Sequence, residues 1–222
     1  MKDEVADGFK TVQSMVEGFS DGGIFVHPTD SLPGLAFDPK SPDSLDSVAR
    51  LKGRRLEKGY LGLVSSLAMA EKFWLPLPVV FHKLLDVLWP GPLTVVWEAS
   101  HRAPVSLVRK DGTLALRYPM LVKNDWLYGE IEKFGVPIPS TSINDPGKAP
   151  KSGITEALEF LKSVPFSLTI DARARDEVQG RSLLPSTLIK LRNDGNIDVL
   201  RQGSMPESRI LAALEHSRRG DH

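Results

Sequence analysis

An α/β fold is first indicated by the stretch Ile24-Phe25-Val26-His27-Pro28-Thr29-Asp30-Ser31, in which a short apolar run leads into a polar turn. The apolar run is typical of a buried strand, and Pro28 favours an extended conformation at His27. Asp30 suits a turn because its carboxylate accepts hydrogen bonds from the backbone that follows it. Polar side chains at the end of a buried strand commonly bind ligands in α/β proteins, so this turn is a first candidate for a binding site.

Predicted helices and strands alternate on both sides of this stretch. Apolar residues at helical spacing predict an N-terminal helix over residues 4–20, which Asp21-Gly22-Gly23 ends. A C-terminal helix is predicted over residues 205–217. No repeat or linker interrupts the alternation, which therefore predicts one mixed α/β domain over residues 1–222.

One predicted helix ends in an unusual pair of cations. It begins at Ser41-Pro42-Asp43, where a hydroxyl cap, a proline and an acidic residue are all favoured. Lys52 lies three residues after the apolar Ala49, so it continues the apolar face of the helix instead of pointing to solvent. Gly53 ends the helix and Arg54 follows. An ammonium and a guanidinium this close together suit a polyphosphate, although the same pair is also typical of a solvated helix end.

Other polar residues follow later predicted strands. Arg117 lies near the end of a predicted strand, and Arg201 follows another. Ser142 and Asn144 are two residues apart, so an extended backbone places both side chains on one face. Each of these residues is also explained as an ordinary surface or loop residue. Because strand ends line one rim in folds of this class, we expect the two arginines to reach one pocket.

The composition excludes several classes of function. The chain of 222 residues has 28 Lys and Arg against 28 Asp and Glu, so its net charge does not favour nucleic acid or membrane partners. It has no cysteine, which excludes disulfides, thiolate nucleophiles and cysteine-based zinc sites. The five histidines lack metal-ligand spacing, and no metal site is predicted. Without a signal peptide or a long apolar run, a soluble cytoplasmic protein is expected.

Eight short motifs occur in one order along the chain and together cover about residues 22–203. They are Pro28-Thr29-Asp30-Ser31-Leu32-Pro33-Gly34-Leu35, Lys52-Gly53-Arg54, Lys58-Gly59-Tyr60-Leu61, Trp89-Pro90-Gly91-Pro92-Leu93-Thr94, Leu116-Arg117-Tyr118-Pro119, Ser140-Thr141-Ser142-Ile143-Asn144, Pro185-Ser186-Thr187 and Leu200-Arg201-Gln202-Gly203. Each motif is common alone, but the ordered set is specific. In this order it resembles the threonylcarbamoyl-AMP synthase family, whose domain is called YrdC-like, in its short single-domain form.

The resemblance implies both a fold and a reaction. The fold is a twisted, open, mixed sheet with flanking helices around a large basic cavity. The reaction converts L-threonine, bicarbonate and ATP, with Mg²⁺, into L-threonylcarbamoyladenylate and pyrophosphate, for the N6-threonylcarbamoyladenosine modification at position 37 of tRNA. The implied partners are these small molecules, tRNA or double-stranded RNA, and the proteins that transfer the threonylcarbamoyl group to tRNA.

The resemblance also implies the site residues. Lys52, Arg54, Ser142 and Asn144 match the Lys-x-Arg and Ser-x-Asn set of the family, and the resemblance implies that they are catalytic. The implied ATP contacts are made by Lys52, Arg54, Lys58, Thr113, Asn144, Ser152 and Arg201. The implied threonine contacts are made by Ser31, Arg117, Ser142 and Ser186, with Arg117 pairing with the carboxylate of threonine.

Four positions depart from the pattern of the family. Pro33 replaces the usual aromatic residue, Arg55 a proline and Ile143 an alanine, and Pro146 lies in a loop that replaces Leu-Ser-Gly. Two alternative functions therefore stay open: an RNA-binding module that uses the same cavity, and a carbamoyl-adenylate enzyme with another acceptor. The neutral net charge counts against the first, because binding driven by phosphate contacts requires a basic surface.

Overall fold

The computed structural model describes residues 5–6, 9–12, 14–20, 23–53, 60–121, 126–144, 148–151, 153–162, 168–171 and 184–219. Arg54, Arg55, Lys58, Pro146 and Ser152 lie outside these ranges, so the predictions made for them remain predictions. No helix in the described part of the chain combines the length and the apolar character that a membrane span requires.

The described residues form eleven strands in one mixed sheet. The strands are β1 Val5–Ala6, β2 Phe9–Val12, β3 Ile24–His27, β4 Gly34–Ala36, β5 Leu61–Leu63, β6 Leu93–Glu98, β7 Thr113–Arg117, β8 Ile138–Ser142, β9 Leu168–Asp171, β10 Thr187–Leu191 and β11 Ile197–Arg201. Their order across the sheet is β1-β2-β9-β3-β4-β8-β5-β7-β6-β10-β11. The neighbours β2 and β9, β9 and β3, β5 and β7, and β6 and β10 run parallel, and the other neighbours run antiparallel.

Seven α-helices accompany these strands in the described part of the chain. They are α1 Met15–Ser20, α2 Pro42–Leu51, α3 Leu67–Phe73, α4 Val79–Leu88, α5 Trp126–Phe134, α6 Ile154–Leu161 and α7 Glu207–Arg219, and a short 3-10 turn covers Val105–Leu107. The predicted mixed α/β fold, with an open sheet and flanking helices, is confirmed. The C-terminal helix begins two residues later than the predicted 205–217 and extends two residues further.

Helix α2 forms for the local reasons that its sequence indicates. The Ser41 hydroxyl accepts a hydrogen bond from the backbone N–H of Ser44 at 3.3 Å, and Pro42 occupies the first helical position. Gly53, with φ of 55°, ends the helix in the left-handed conformation that glycine tolerates best. Lys52 is only 9 % exposed, as expected for a residue that continues the apolar face.

The N-terminal helix predicted over residues 4–20 is wrong in its first part. Strands β1 and β2 pair antiparallel there, and among the described residues of this range α1 alone is helical. β2 also pairs in parallel with β9, which lies near the other end of the sequence. This long-range pairing overrides the helical spacing of the apolar residues. Asp7-Gly8, a dipeptide typical of hairpin turns, is the sequence signal that indicates the two strands.

Strand β4 is short and is not predicted from the sequence, yet it positions the polar turn. It lies between β3 and β8, with His27 opposite Gly34 on one side and Ser142 opposite Gly34 on the other. The turn that follows His27 is therefore held beside the Ser-x-Asn motif. Buried side chains on both sides of the turn, including Phe25 and Phe37, each contribute about 1.5–3 kcal/mol of transfer free energy that holds these strands in place.

Candidate functional site

A cavity of about 600 Å³ lies where the turn after β3 meets the ends of β7 and β8 and the segment before β10. Four cationic side chains line it: Lys52, Arg109, Arg117 and Arg201. Hydroxyl and amide side chains form most of its remaining polar wall, namely Thr29, Ser31, Thr94, Ser140, Thr141, Ser142, Asn144 and Ser186. None of the described residues that line it is Asp or Glu, so this wall is suited to bind anions.

The cavity brings together seven of the site residues predicted from the sequence. They are Ser31, Lys52, Arg117, Ser142, Asn144, Ser186 and Arg201, which come from six separate segments of the chain. Their convergence agrees with the expectation that the strand ends line one rim. Arg109, Thr94 and Ser140 also line the cavity but are absent from the predicted site residues. Thr94 and Ser140 each lie within one of the quoted motifs. Their place in these motifs is the signal by which the sequence could have identified them as site residues.

The Lys52 corner of the cavity consists of Lys52, Ser142 and Asn144. The ammonium of Lys52 donates to the backbone oxygen of Ser142 at 2.8 Å and to the side-chain oxygen of Asn144. It also lies 3.4 Å from the backbone oxygen of Asn144. The Ser142 hydroxyl donates to the same side-chain oxygen at 2.8 Å, while the Asn144 amide nitrogen donates to the Lys148 carbonyl at 2.9 Å. These contacts fix the ammonium at the cavity wall through acceptors that carry no formal charge.

The Arg117 corner consists of Asp30, Arg117, Arg201 and Ser186. Arg117 donates to a carboxylate oxygen of Asp30, and their side chains are only 5 % and 14 % exposed. Burial lowers the pKa of Arg117, and the charge and hydrogen bond of Asp30 oppose that shift. Arg201 donates to the Ser186 backbone oxygen at 2.8 Å. Burial lowers the pKa of Arg201, and the positive charge of Arg117 lowers it further, so the two guanidinium groups repel each other.

Two buried polar atoms of this corner have no hydrogen-bond partner among the described residues: Nε of Arg117 and the second carboxylate oxygen of Asp30. Such atoms are rare in folded proteins because an unpaired buried polar group costs about 1–3 kcal/mol. The sequence suggested only a role in the turn for Asp30. Asp30 is therefore absent from the predicted site residues. Its position next to Ser31 is the signal that could have identified it.

A hydroxyl network attaches the segment before β10 to the same wall. The Ser186 and Thr94 hydroxyls lie 2.7 Å apart, and the backbone N–H groups of Gly203 and Met205 donate to the Thr187 hydroxyl at 3.0 and 3.1 Å. A side chain at position 203 would place its Cβ 2.2 Å from the Pro185 backbone oxygen. Only glycine allows this approach, which explains the glycine that ends the Leu200-Arg201-Gln202-Gly203 motif.

Comparison with known families identifies the family of this chain. Residues 17–203 match the family model of the Sua5/YciO/YrdC domain, which carries the description "Telomere recombination". The chain belongs to this family. The resemblance to YrdC-like proteins inferred from the eight motifs is therefore confirmed.

Relatives in this family carry the name threonylcarbamoyl-AMP synthase. The protein of that name from Cellvibrio japonicus is 30% identical over 173 residues, which cover 74% of this chain and 90% of the relative. The protein of that name from Halorhodospira halophila is 29% identical over 151 residues, which cover 68% of this chain and 75% of the relative.

Solved structures of the family share the fold. The crystal structure of P. abyssi Sua5 complexed with L-threonine has a TM-score of 0.73 and 24% identity, and the match covers 90% of this chain and 56% of that one. This chain therefore spans little more than half of the P. abyssi protein. The crystal structure of E. coli YciO has a TM-score of 0.71 and 24% identity, and the match covers 86% of this chain and 88% of that one.

Among the predicted site residues that the structure describes, Thr113 lies away from the cavity. It lies on the same face of β7 as Arg117 but at the other end, and its hydroxyl donates to Asp111 at 2.6 Å. Together with Asp111 and Lys190 it lines a separate depression. The structure does not bring Thr113 to the cavity because β7 separates its two ends by about 13 Å, at about 3.3 Å per residue. Its ATP contact stays a prediction.

Two departures from the family pattern fall on described residues, and they differ in position. The side chain of Ile143 is wholly buried in the hydrophobic core, so its bulk does not enter the cavity. Its backbone oxygen accepts from the Lys151 N–H at 2.8 Å. Pro33, in contrast, lines the cavity. Of these two departures, only Pro33 alters the surface that a ligand meets.

The described residues do not form a direct metal site. No group of three or more His, Asp or Glu side chains within them is arranged to hold a metal ion. Mg²⁺ prefers oxygen ligands that include carboxylates. The cations, hydroxyls and amide of the described cavity wall therefore fit a phosphate-bearing ligand and do not fit direct coordination of Mg²⁺.

Proposed function

We propose that this protein is a threonylcarbamoyl-AMP synthase, an enzyme of the nucleotidyltransferase type. It would form L-threonylcarbamoyladenylate and pyrophosphate from L-threonine, bicarbonate and ATP. The observation that carries the proposal is the convergence of Lys52, Arg117 and Arg201 with Ser142 and Asn144 on one cavity whose described wall lacks acidic residues. The names of the relatives and the share of their length that this chain covers support the same function.

The chemistry requires that anions meet in the cavity. The amine of threonine attacks bicarbonate to give a carbamate with release of water, and a carbamate oxygen then attacks the α-phosphorus of ATP with release of pyrophosphate. Both attacking and attacked groups are negatively charged in the second step. Fixed cations that reduce this repulsion, together with correct positioning, can supply most of the catalysis, so no covalent nucleophile is needed.

The two corners suggest which substrate binds where. We assign the ATP phosphates and the carbamate carboxylate to the Lys52 corner, where the sequence adds Arg54, Lys58 and Ser152. Asn144 and Ser142 orient the substrates there. Arg201 belongs to the Arg117 corner, and we assign to it the nucleotide contact that the resemblance implies, at the boundary between the two corners. We assign threonine to the Arg117 corner with Ser31 and Ser186, and the carboxylate of threonine pairs with Arg117.

Further proposals concern the cofactor and partners. Mg²⁺ would enter with ATP on the phosphate oxygens, which agrees with the poor fit of the described wall for direct coordination. The adenylate would pass to proteins that modify position 37 of tRNA in the cytoplasm. Contact with tRNA or double-stranded RNA is a separate proposal, and a filter-binding assay without salt-sensitive affinity would exclude it.

The decisive experiment measures pyrophosphate release by the purified protein with ATP and bicarbonate, with and without L-threonine. We expect release that depends on threonine, and mass spectrometry should detect threonylcarbamoyladenylate. Serine, glycine and other amines are tested in parallel, because Pro33 alters the cavity wall. Release that depends on another amine but not on threonine would favour the alternative acceptor, and no amine-dependent release would contradict the proposal.

A further inference from the structure

A buried histidine contacts the cavity wall from behind. His27, the last residue of β3, is wholly buried. Its Nε2 lies 2.9 Å from the hydroxyl of Ser140, and its Nδ1 lies 3.1 Å from the backbone oxygen of Pro28. Ser140 lies on β8 and lines the cavity. None of the roles proposed above uses this pair.

The contacts of His27 determine the direction of its hydrogen bond to Ser140. A backbone carbonyl only accepts hydrogen bonds, so Nδ1 must carry the proton that it donates to Pro28. In neutral imidazole the other nitrogen, Nε2, is then an acceptor. The Ser140 hydroxyl therefore donates to Nε2, and its oxygen lone pairs remain available to the cavity.

The contact between His27 and Ser140 exists because the strand between them carries a glycine. β3 and β8 are separated by β4, which places them about 9.5 Å apart at about 4.8 Å per strand. A Cβ at Gly34 would lie 2.7 Å from His27 Nε2 and 2.9 Å from the Ser140 hydroxyl oxygen. Both distances are too short for a real side chain, so Gly34 leaves the space through which the two side chains meet.

An amine in this cavity needs hydrogen-bond acceptors. The described wall has four cationic side chains and no carboxylate, so its acceptors are hydroxyl, amide and backbone oxygens. Ser142 lies two residues after Ser140 on the same face of β8, and its hydroxyl donates to the side-chain oxygen of Asn144. Ser140 and Ser142 therefore form two neighbouring hydroxyls whose protons are committed elsewhere and whose lone pairs can accept.

We propose that His27 is a positioning residue that fixes the Ser140 hydroxyl as an acceptor for the amino group of the amino-acid substrate. This inference rests on the proposed function and extends it to two residues that the sequence motifs do not assign. Ser140 holds one N–H of the substrate and Ser142 a second. The nitrogen is thereby oriented before it attacks bicarbonate.

The test compares His27→Leu with the matched variant His27→Gln. Leucine removes the acceptor, so the Ser140 hydroxyl is free to turn its proton to the cavity. Glutamine can place its amide oxygen where Nε2 lies and so restore the acceptor. We expect the KM for threonine to rise about 10-fold or more in His27→Leu and in Ser140→Ala, as for loss of a hydrogen bond to a charged group. His27→Gln should stay within about threefold of the unmodified protein.

The KM for ATP separates positioning from a general disturbance of the fold. We expect it to change less than about twofold in all three variants. Equal increases in both KM values, or an unchanged KM for threonine in folded His27→Leu, would overturn the inference. If His27→Leu does not fold, Ser140→Ala decides, and an unchanged threonine KM in that variant overturns the inference as well.

Failure of the proposed function gives a different result from failure of this inference. An unmodified protein without threonine-dependent pyrophosphate release contradicts the function. Equilibrium dialysis with L-threonine then replaces the kinetic assay, and the same variants are compared by their Kd. Weaker binding in Ser140→Ala and His27→Leu than in His27→Gln supports the inference, and equal binding in all of them overturns it.

Discussion

The Lys52 corner and the Arg117 corner of the cavity hold their cations in different ways. The three contacts described for the Lys52 ammonium are to two backbone oxygens and one amide oxygen, and none of these three neutralises its charge. Arg117 instead contacts the carboxylate of Asp30 in a pair that is almost entirely buried. The described contacts of Lys52 are therefore with dipoles, whereas those of Arg117 include an anion.

Under the proposed function, the two corners suit different substrates of one cavity. A triphosphate is strongly anionic and is stabilised by fixed cations near its phosphates. A free amino acid is a zwitterion without net charge, so it needs less positive charge around it, and in the Arg117 corner Asp30 offsets one of the two guanidinium charges. The following predictions test this division, from the largest expected effect to the smallest.

Removal of the Lys52 ammonium should have the largest effect. In Lys52→Ala we expect threonine-dependent pyrophosphate release to fall about 1000-fold or more, because the phosphates lose a fixed charge in a site partly shielded from water. The measurement is initial rate at saturating ATP and threonine. Arg54→Ala is expected to behave in the same way, and an unchanged rate in that variant would contradict its predicted role.

Lys190→Ala is the matched control, because Lys190 lies in the separate depression that also contains Thr113. Its rate should stay within about twofold of the unmodified protein. A similar loss in both lysine variants would mean that charge in general, and not the Lys52 corner, supports the reaction.

Removal of the Asp30 charge should destabilise the fold. Asparagine keeps the shape of the side chain in Asp30→Asn but leaves the buried guanidinium of Arg117 without a neutralising charge. Loss of one partner from a buried ion pair costs about 3–5 kcal/mol of unfolding free energy, and we expect the lower end because an amide can still accept a hydrogen bond. Urea unfolding at neutral pH measures it. A loss below about 1 kcal/mol would show that Asp30 does not hold Arg117 in solution.

Replacement of Arg117 by lysine keeps the charge but removes the planar group with its several donors. A lysine in Arg117→Lys cannot contact Asp30 and a substrate carboxylate with the same geometry. We expect the KM for threonine to rise about 10-fold while the KM for ATP stays within about twofold. If the KM for ATP rises as much, the two corners do not serve separate substrates.

Asp111 and Lys190 provide an exposed counterpart to the buried pair, with side chains 51% and 37% exposed. The hydrogen bond from the Thr113 hydroxyl, with Lys190 also contributing, lowers the pKa of Asp111 to about 2. Because this pKa is lower in the folded state, the stabilisation is present above about pH 4 and is lost as the pH falls towards 2.

In Asp111→Asn we therefore expect less than about 1 kcal/mol of lost stability at pH 7, since water screens an exposed pair. The difference from the unmodified protein should shrink as urea unfolding is repeated between pH 4 and pH 2. A difference that is constant with pH would show that the Asp111 charge does not contribute to stability.

Local features of the site could be predicted because they depend on neighbouring residues. The Ser41 cap, the Gly53 stop and the inward position of Lys52 all follow from spacing within one helix. The pairing of Asp30 with Arg117 could not be predicted, since the two residues are 87 positions apart and meet only through the order of the strands between them. The pairing of β2 with β9 depends on the same kind of long-range contact, although the local dipeptide Asp7-Gly8 already favours a hairpin between β1 and β2.

The sequence by itself determined the family, the mixed α/β class and the residues that carry charge and hydroxyl groups towards a cavity. Only the tertiary structure decided which of them meet: Arg117 with Asp30, His27 with Ser140 across Gly34, and Thr113 with Asp111 away from the cavity. Capping and periodicity act over a few residues and are written in local sequence. Contacts across a sheet depend on strand order and register, which are set by the burial and hydrogen bonding of the whole chain.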